Sequence, residues 1–327
     1  MQHRRSDYDV TNTVQVSSPQ AVGEAVCDLF ARTWPDPPLA TLRQAFDDFQ
    51  RLFNGEFPGY LGCDTAYHDL QHSLDGTLAT ARLIIGHDRS QPEADRFGMQ
   101  LGLLGVVIIL FHDAGYIRRH DEADRHGAEF TASHVSRSAQ FLADYLPHIG
   151  LGEYAQTAAR IVHFTGYEVK FEQIQTADPR LRRLGHLIGT GDLIAQLADR
   201  CYLEKCRDRL YPELALGSLA DPRPARVQYD SGLDVLRQTP RFIDELRSSR
   251  LDGAFAGAYH HLETLFDGSN PYLEAIERNE RYLRQALQTG RWPQLRRDPP
   301  CFTWQSDPVQ TIHERLAQRR QQTGEGE

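Results

Sequence analysis

The sequence predicts an all-α protein, and three observations carry that reading. Apolar residues recur three and four positions apart through most of the chain, the period of a helix with one buried face. Runs of strictly alternating apolar and polar residues, the mark of strands, are scarce. Turn-forming clusters ("FPGYLG", "HDRSQPE", "PHIGLG", "LADPRPA") fall between the periodic stretches rather than inside them.

The elements follow in order. Residues 1–20 are polar and read as a loose, flexible N-terminal tail. The helical period begins at Ala21 with "AVGEAVCDLFART" and returns in "LATLRQAFDDFQRLF". Candidate helices then run over roughly 65–87, 98–112, 126–146, 152–164 and 181–211. The most apolar run, "LGLLGVVIILF" (Leu101–Phe111), is about half of the ~20 residues a membrane helix needs, so it reads as a buried core helix. Beyond Glu213, "QYDSGLDVLRQTPRFIDELRSSRLDGAFAGAYHHLETLF" reads as helices packed beside the core. In "GSNPYLEAIERNERYLRQAL", Asn270 is placed to cap a helix whose first residue is Pro271. The aromatic, proline-rich "WPQLRRDPPCFTW" either folds back over the core or forms a lid. The expected organisation is one domain over 21–300, with a motif core at 60–215, a helical extension at 216–300 and a polar tail at 301–327.

Composition narrows the class. The 327 residues carry a formal charge of −9, which argues against a nucleic-acid partner or an anionic membrane surface. Five scattered cysteines form no CxxC pair, so neither a zinc ribbon nor a disulfide framework is expected, and a cytoplasmic location fits better. The N-terminus has two arginines but no apolar stretch to make it a signal peptide. A contact through the C-terminal helices, as in a homodimer, is an open alternative to simple packing against the body.

The chemistry-bearing stretches are three. In "TAYHDLQHSLDG", the spacing puts His68, His72 and Asp75 on one helical face, apart from the apolar Leu70, Leu74 and Leu78. In "VVIILFHDAGYI", His112 and Asp113 follow directly on the most apolar helix, where a buried carboxylate needs a partner or a metal. Two other His-Asp pairs, His87-Asp88 and His120-Asp121, lie in hydrophilic stretches and read as solvated. In "GHLIGTGDLIAQLADRCYLEK", Asp192 sits among apolar residues as a helix cap, an arginine partner or a metal ligand. His163, in "RIVHFTGYE", is either a core histidine bonded to a carbonyl or a ligand. His72, His112, Asp113 and Asp192 together offer two imidazoles and two carboxylates, a donor set suited to Mn²⁺, Fe²⁺ or Zn²⁺, with Mg²⁺ or Mn²⁺ at an adjacent oxygen-rich site that Asp113 would bridge.

"YHDLQHSLD", "HDAGY" and "GTGDLIAQ" resemble, in order, the motifs of the HD superfamily of metal-dependent phosphohydrolases. The first is similar to the YHNxxHAxD signature of class I cyclic-nucleotide phosphodiesterases. The resemblance spans Tyr67 to Glu213 and implies an α-helical bundle with extra N- and C-terminal helices, about two divalent metal ions (Mn, Mg, Zn or Fe) and a small phosphoester or nucleotide substrate. It implies His72, His112, Asp113 and Asp192 as metal ligands, and His68 as the acid that protonates the leaving oxygen. Asp75 becomes either a partner that orients an imidazole or an exposed carboxylate. Three departures mark the chain: Asp69 stands where those enzymes have asparagine, Tyr116 where they have a further histidine, and no counterpart of their base-gripping glutamine is found. His134 and His163 are candidates for a second metal, as in other HD branches. "HGAEFTASHVSRS" places His126, Glu129 and His134 on one helix, with Glu129 near a metal-held water or at the surface. Arg118, Arg119 and Arg200 lie near the motifs as possible phosphate clamps. The expected function is phosphoester hydrolysis by metal-activated water; an HD-fold di-iron oxygenase and a non-catalytic nucleotide or effector sensor are the alternatives.

Overall fold

The computed structural model describes residues 4–176, 178–221, 229–290 and 295–323. The "PRPA" end of one breaker, the opening of "WPQLRRDPPCFTW" and the last four residues lie outside the described residues. Among those described there are twelve α-helices joined by 3₁₀ and π turns, and two isolated bridges but no strand. The all-α expectation holds.

Helices α1 (Pro19–Ala31) and α2 (Leu39–Phe53) pair through Phe30, Phe46, Phe49 and Leu52, all buried at helical spacing. The centre is α3 (Leu70–Ser90), flanked by α4 (Gly98–Leu110) and α7 (Pro179–Ala198). Every residue from Leu101 to Leu110 is buried, which explains why α4 shows no polar face. The segment Glu93–Tyr116 around it is long and apolar enough to cross a membrane, and 83% of its apolar window is buried inside this fold. Between α4 and α7 lie α5 (His134–Tyr145) and α6 (Ala155–Ile161). After α7 the chain breaks at Asp199, then forms α8 (Tyr202–Lys205), a π turn (Cys206–Leu210) and α9 (Tyr211–Ala220). Helices α10 (Gly232–Leu246), α11 (Pro271–Thr289) and α12 (Pro308–Thr323) complete the body.

What sets the geometry of the centre is the close approach of α3 and α7. A Cβ on Gly191 would lie 2.0 Å from Thr80 Oγ1 and 3.0 Å from Thr80 Cα. Glycine at that position lets two backbones meet at the level of Asp192.

Several expectations are corrected. The first twenty residues are not a loose tail from Arg4 onward: Asp9 is fully buried and pairs with Arg82 of α3 at 2.8 Å. Burial works against its charge, but Arg82, Thr11 and two backbone amides outweigh that and draw its carboxyl down to about 2. The C-terminal polar tail contains α12, which seats Ile312 and Leu316 on Leu216 of α9 and Ala128 in a small second core. The helix expected at 65–87 starts only at Leu70, the one at 126–146 only at His134, and the one at 181–211 breaks at Asp199. His87-Asp88 is buried rather than solvated: the Asp88 carboxylate accepts the backbone amides of Phe97 and Gly98 at 2.8 and 2.9 Å, holding the entry to α4. Asn270 caps α11 as read, accepting from the amides of Tyr272 and Leu273.

Candidate metal centre

The start of α3 decides where the first motif points. Asp69 is its N-cap: one oxygen accepts from the His72 amide at 3.1 Å, the other from the Phe302 amide at 3.0 Å. A short carboxylate satisfies the orphan donors of a first turn better than it sits inside a helix, so the helix cannot extend back through His68. His68 therefore does not share a helical face with His72 and Asp75. It lies before the cap, its carbonyl held by the Thr65 hydroxyl at 2.7 Å, and the turn at Asp69 brings the two rings to 5.4 Å, nearly perpendicular.

The second motif sits where α4 unwinds. His112 donates Nδ1–H to the carbonyl of Ile109 at 2.7 Å, which turns its Nε2 away from the helix. Asp113 has left helical geometry (φ −104°, ψ 9°), so two adjacent side chains reach the same centre, as a regular helix would not permit. Asp192 enters from the middle of α7 and caps nothing.

These four side chains converge. Nε2 of His72 lies 3.2 Å from Asp113 Oδ2 and 3.5 Å from Asp192 Oδ1, and Nε2 of His112 lies at the same two distances from the same two oxygens. Donors held by one ion at about 2.1 Å lie about 3.0 Å apart at a right angle and about 3.4 Å apart at the tetrahedral angle. The imidazole-to-carboxylate spacings are those of neighbouring donors on an ion, and the donors fall into two overlapping groups, His72–His112–Asp192 and His68–His72–Asp113, each within 4.8 Å. Both carboxylate oxygens are buried and have no hydrogen-bond partner. Because His112 spends its Nδ1 proton on Ile109, its neutral form aims a lone pair at two carboxylates. Such a cluster needs a proton or a cation at its centre. In the metal-free protein the proton serves: burial opposes it, but Asp113 and Asp192 hold the His112 ring well above the ordinary imidazole range. Correspondingly, His112 outweighs burial at Asp113 and holds that carboxyl well below the ordinary range. The donor set thus fits a divalent ion.

Around this centre, His134 Nδ1 donates to the carbonyl of Thr131 at 2.8 Å, and its Nε2 faces the other oxygen of Asp113 at 3.8 Å. Burial keeps the His134 ring below its usual range despite Asp113. The Tyr116 ring is sandwiched between His68 and His134, with centroids at 4.5 and 4.4 Å and both pairs within 19° of parallel.

Sequence reasoning missed Glu213. Its side chain, 1% exposed, comes from α9 and meets His68 Nδ1 at 2.5 Å, while its other oxygen accepts the Tyr67 amide at 2.6 Å. Burial lowers the hold of His68 on its proton, but Glu213, with Asp113 and Asp192 behind it, prevails and raises the pKa. The only signal in the sequence was a glutamate among apolar residues in "YPELALG".

Other expected participants lie elsewhere. Glu129 is turned to Arg319, Arg315 and the His126 amide, and His126 caps a 3₁₀ turn rather than sharing a helix with His134. His163 is half-buried and is not among the converging donors; burial lowers its pKa. Arg118 pairs with Asp64 at 3.1 Å. Asp75 is buried one turn beyond His72, and burial pushes its carboxyl up to about 7. Comparisons with protein-family models, curated proteins and solved structures find no match to this chain.

Proposed function

We propose that this protein is a metal-dependent phosphohydrolase acting on a small phosphoester or nucleotide, and most simply a phosphodiesterase of the HD type. The observation that carries the reading is the convergence of two imidazole Nε2 atoms on two buried carboxylate oxygens at 3.2–3.5 Å. His72, His112, Asp113 and Asp192 would hold one ion, and the second oxygen of Asp113, beside His134, is suited to another. A divalent ion held there supplies charge neutralisation for a phosphate and lowers the pKa of a coordinated water from about 15.7 toward about 7.

The protein's own part is proton transfer and positioning. His68 has Nδ1 fixed on Glu213, so Nε2 is the atom left to face the cluster and give a proton to a departing alkoxide. Glu213 strengthens the ring's hold on that proton. The Tyr116 ring packed flat on His68 limits its rotation. Phosphoryl transfer gains most of its rate from such placement and from neutralised charge.

An acid of this kind favours hydrolysis over oxygen insertion, which expels no leaving group. The test is hydrolysis of bis(4-nitrophenyl) phosphate and of nucleotide esters with Mn²⁺, Mg²⁺ or Zn²⁺. Wild type should turn over and lose activity to a chelator, and His68→Ala should keep metal yet fall by roughly 10²–10⁴-fold. Turnover equal in His68→Ala and wild type would remove the acid. Bound iron with oxygen consumption and no ester hydrolysis would move the protein to the oxygenase class, and ligand binding without turnover to the sensor class.

A further inference from the structure

Three of the four imidazoles in this region have Nδ1 fixed by a direct partner: His68 by Glu213, His112 by the Ile109 carbonyl and His134 by the Thr131 carbonyl. His72 has no such anchor among the described residues. With its Nε2 turned to Asp113 and Asp192, Nδ1 is the polar atom its ring has left to offer on the other side. His72 lines a cavity of about 10 Å³ together with Asp75 and Gln71 of α3, Gln196 and Asp199 at the end of α7, and Lys205 of α8. Its size is that of one water, and polar groups of several lining side chains can reach it, as a water site requires. Lys205 is bound to Asp199 at 2.6 Å and to Gln71 at 3.1 Å, leaving one of its three N–H donors. Asp75 Oδ1 is buried without a hydrogen-bond partner.

We propose that this cavity is a built site for a single water, through which Asp75 fixes the ligating orientation of His72. The water accepts the His72 Nδ1–H and a proton of Lys205 or Gln196, and donates to the Asp75 carboxylate. Asp75 is then a positioning residue that acts on the metal through His72. It meets an otherwise unsatisfied carboxylate, an unanchored ring and a one-water cavity with one arrangement. The inference rests on the metal reading above, because it concerns how a ligand of that metal is held.

The test reads zinc affinity and a ring proton, not turnover. In zinc-loaded wild type, the His72 ring N–H should give a resolved, slowly exchanging proton resonance. Asp75→Leu should lose it and weaken zinc binding about 10- to 100-fold, the usual effect of removing the partner behind a metal-ligating histidine. Asp75→Asn, which keeps an acceptor but no charge, should fall between. The ring N–H of His112, bonded to Ile109, should persist in each variant and report an intact fold. Unchanged zinc affinity and an unchanged His72 resonance in Asp75→Leu would overturn the proposal. If that variant does not fold, unchanged affinity in Asp75→Asn would overturn it equally. His72→Ala separates the two levels: should it bind zinc as wild type does, the metal reading itself has failed.

Discussion

Gly191→Ala tests how the fold positions the site. The added methyl carbon would lie 2.0 Å from Thr80 Oγ1, 3.0 Å from Thr80 Cβ and 3.0 Å from Thr80 Cα. Ordinary carbon contacts are about 3.5–4.0 Å. Rotating the threonine relieves the first clash, but the other two are with atoms that rotation does not move. The helices must therefore separate by about half an ångström or more. Two effects of opposite sign compete. Alanine favours a helix over glycine by about 0.8–1.0 kcal/mol. Overpacking a well-packed core costs about 1–3 kcal/mol, occasionally more. The clash here is with backbone, so the second effect should win, and the variant should lose on the order of 1 kcal/mol or more in chemical denaturation. Asp192 is the next residue, so α7 moving off α3 should also weaken zinc binding. Gly191→Ala with Thr80→Ala should recover only part of the loss, because Cα and Cβ remain. A Gly191→Ala protein stabilised by about 1 kcal/mol, the bare propensity gain, would show that α3 and α7 are not pressed together there.

Glu213→Gln keeps an acceptor for the Tyr67 amide but removes the charge on His68, so the pKa of His68 should fall in an NMR titration of metal-free protein; an unmoved titration would free His68 from Glu213. Since the folded pKa is raised, the pair's stabilisation is full below the ordinary imidazole range and lost as pH rises through the folded value; the substitution should cost about 1.5–3 kcal/mol on the acid side of that range. Metal binding must displace the proton that Asp113 and Asp192 keep on His112, so affinity should rise with pH and calorimetry in two buffers should register proton release, whereas pH-independent binding would place the ion elsewhere. Asp9, drawn down from 3.8 to about 2, should contribute about 2 kcal/mol above pH 4 that disappears as pH falls toward 2, a window absent from Asp9→Asn.

What could be read from the sequence was local. The Asn270-Pro271 start of α11 depends on neighbours within three residues, and the apolar run of α4 depends on nothing but its own composition. The set His72, His112, Asp113 and Asp192 was legible because two motifs are contiguous and the third stands out as a carboxylate in apolar company. The remainder depends on partners far along the chain. Asp69 is a cap in part because Phe302, 233 residues away, lends it an amide. Glu213 reaches His68 across 145 residues, and neither residue type announces the other. The N-terminal segment looked like a tail because its polar residues say nothing of Arg82, which makes Asp9 worth burying. Period alone also ran helices through Asp199 and through the turn before His134, where side chains and carbonyls compete for the backbone's donors.

Everything proposed here depends on an ion at one place, and elemental analysis of the purified protein beside Asp113→Ala asks for it directly. Asp113 presents Oδ2 to both His72 and His112 and Oδ1 to His134, so its loss should strip the site. One to two manganese, zinc, magnesium or iron ions per chain in wild type, and none in a folded Asp113→Ala, is the expected result. Equal metal content in the two proteins, or none in wild type after reconstitution, would contradict the account.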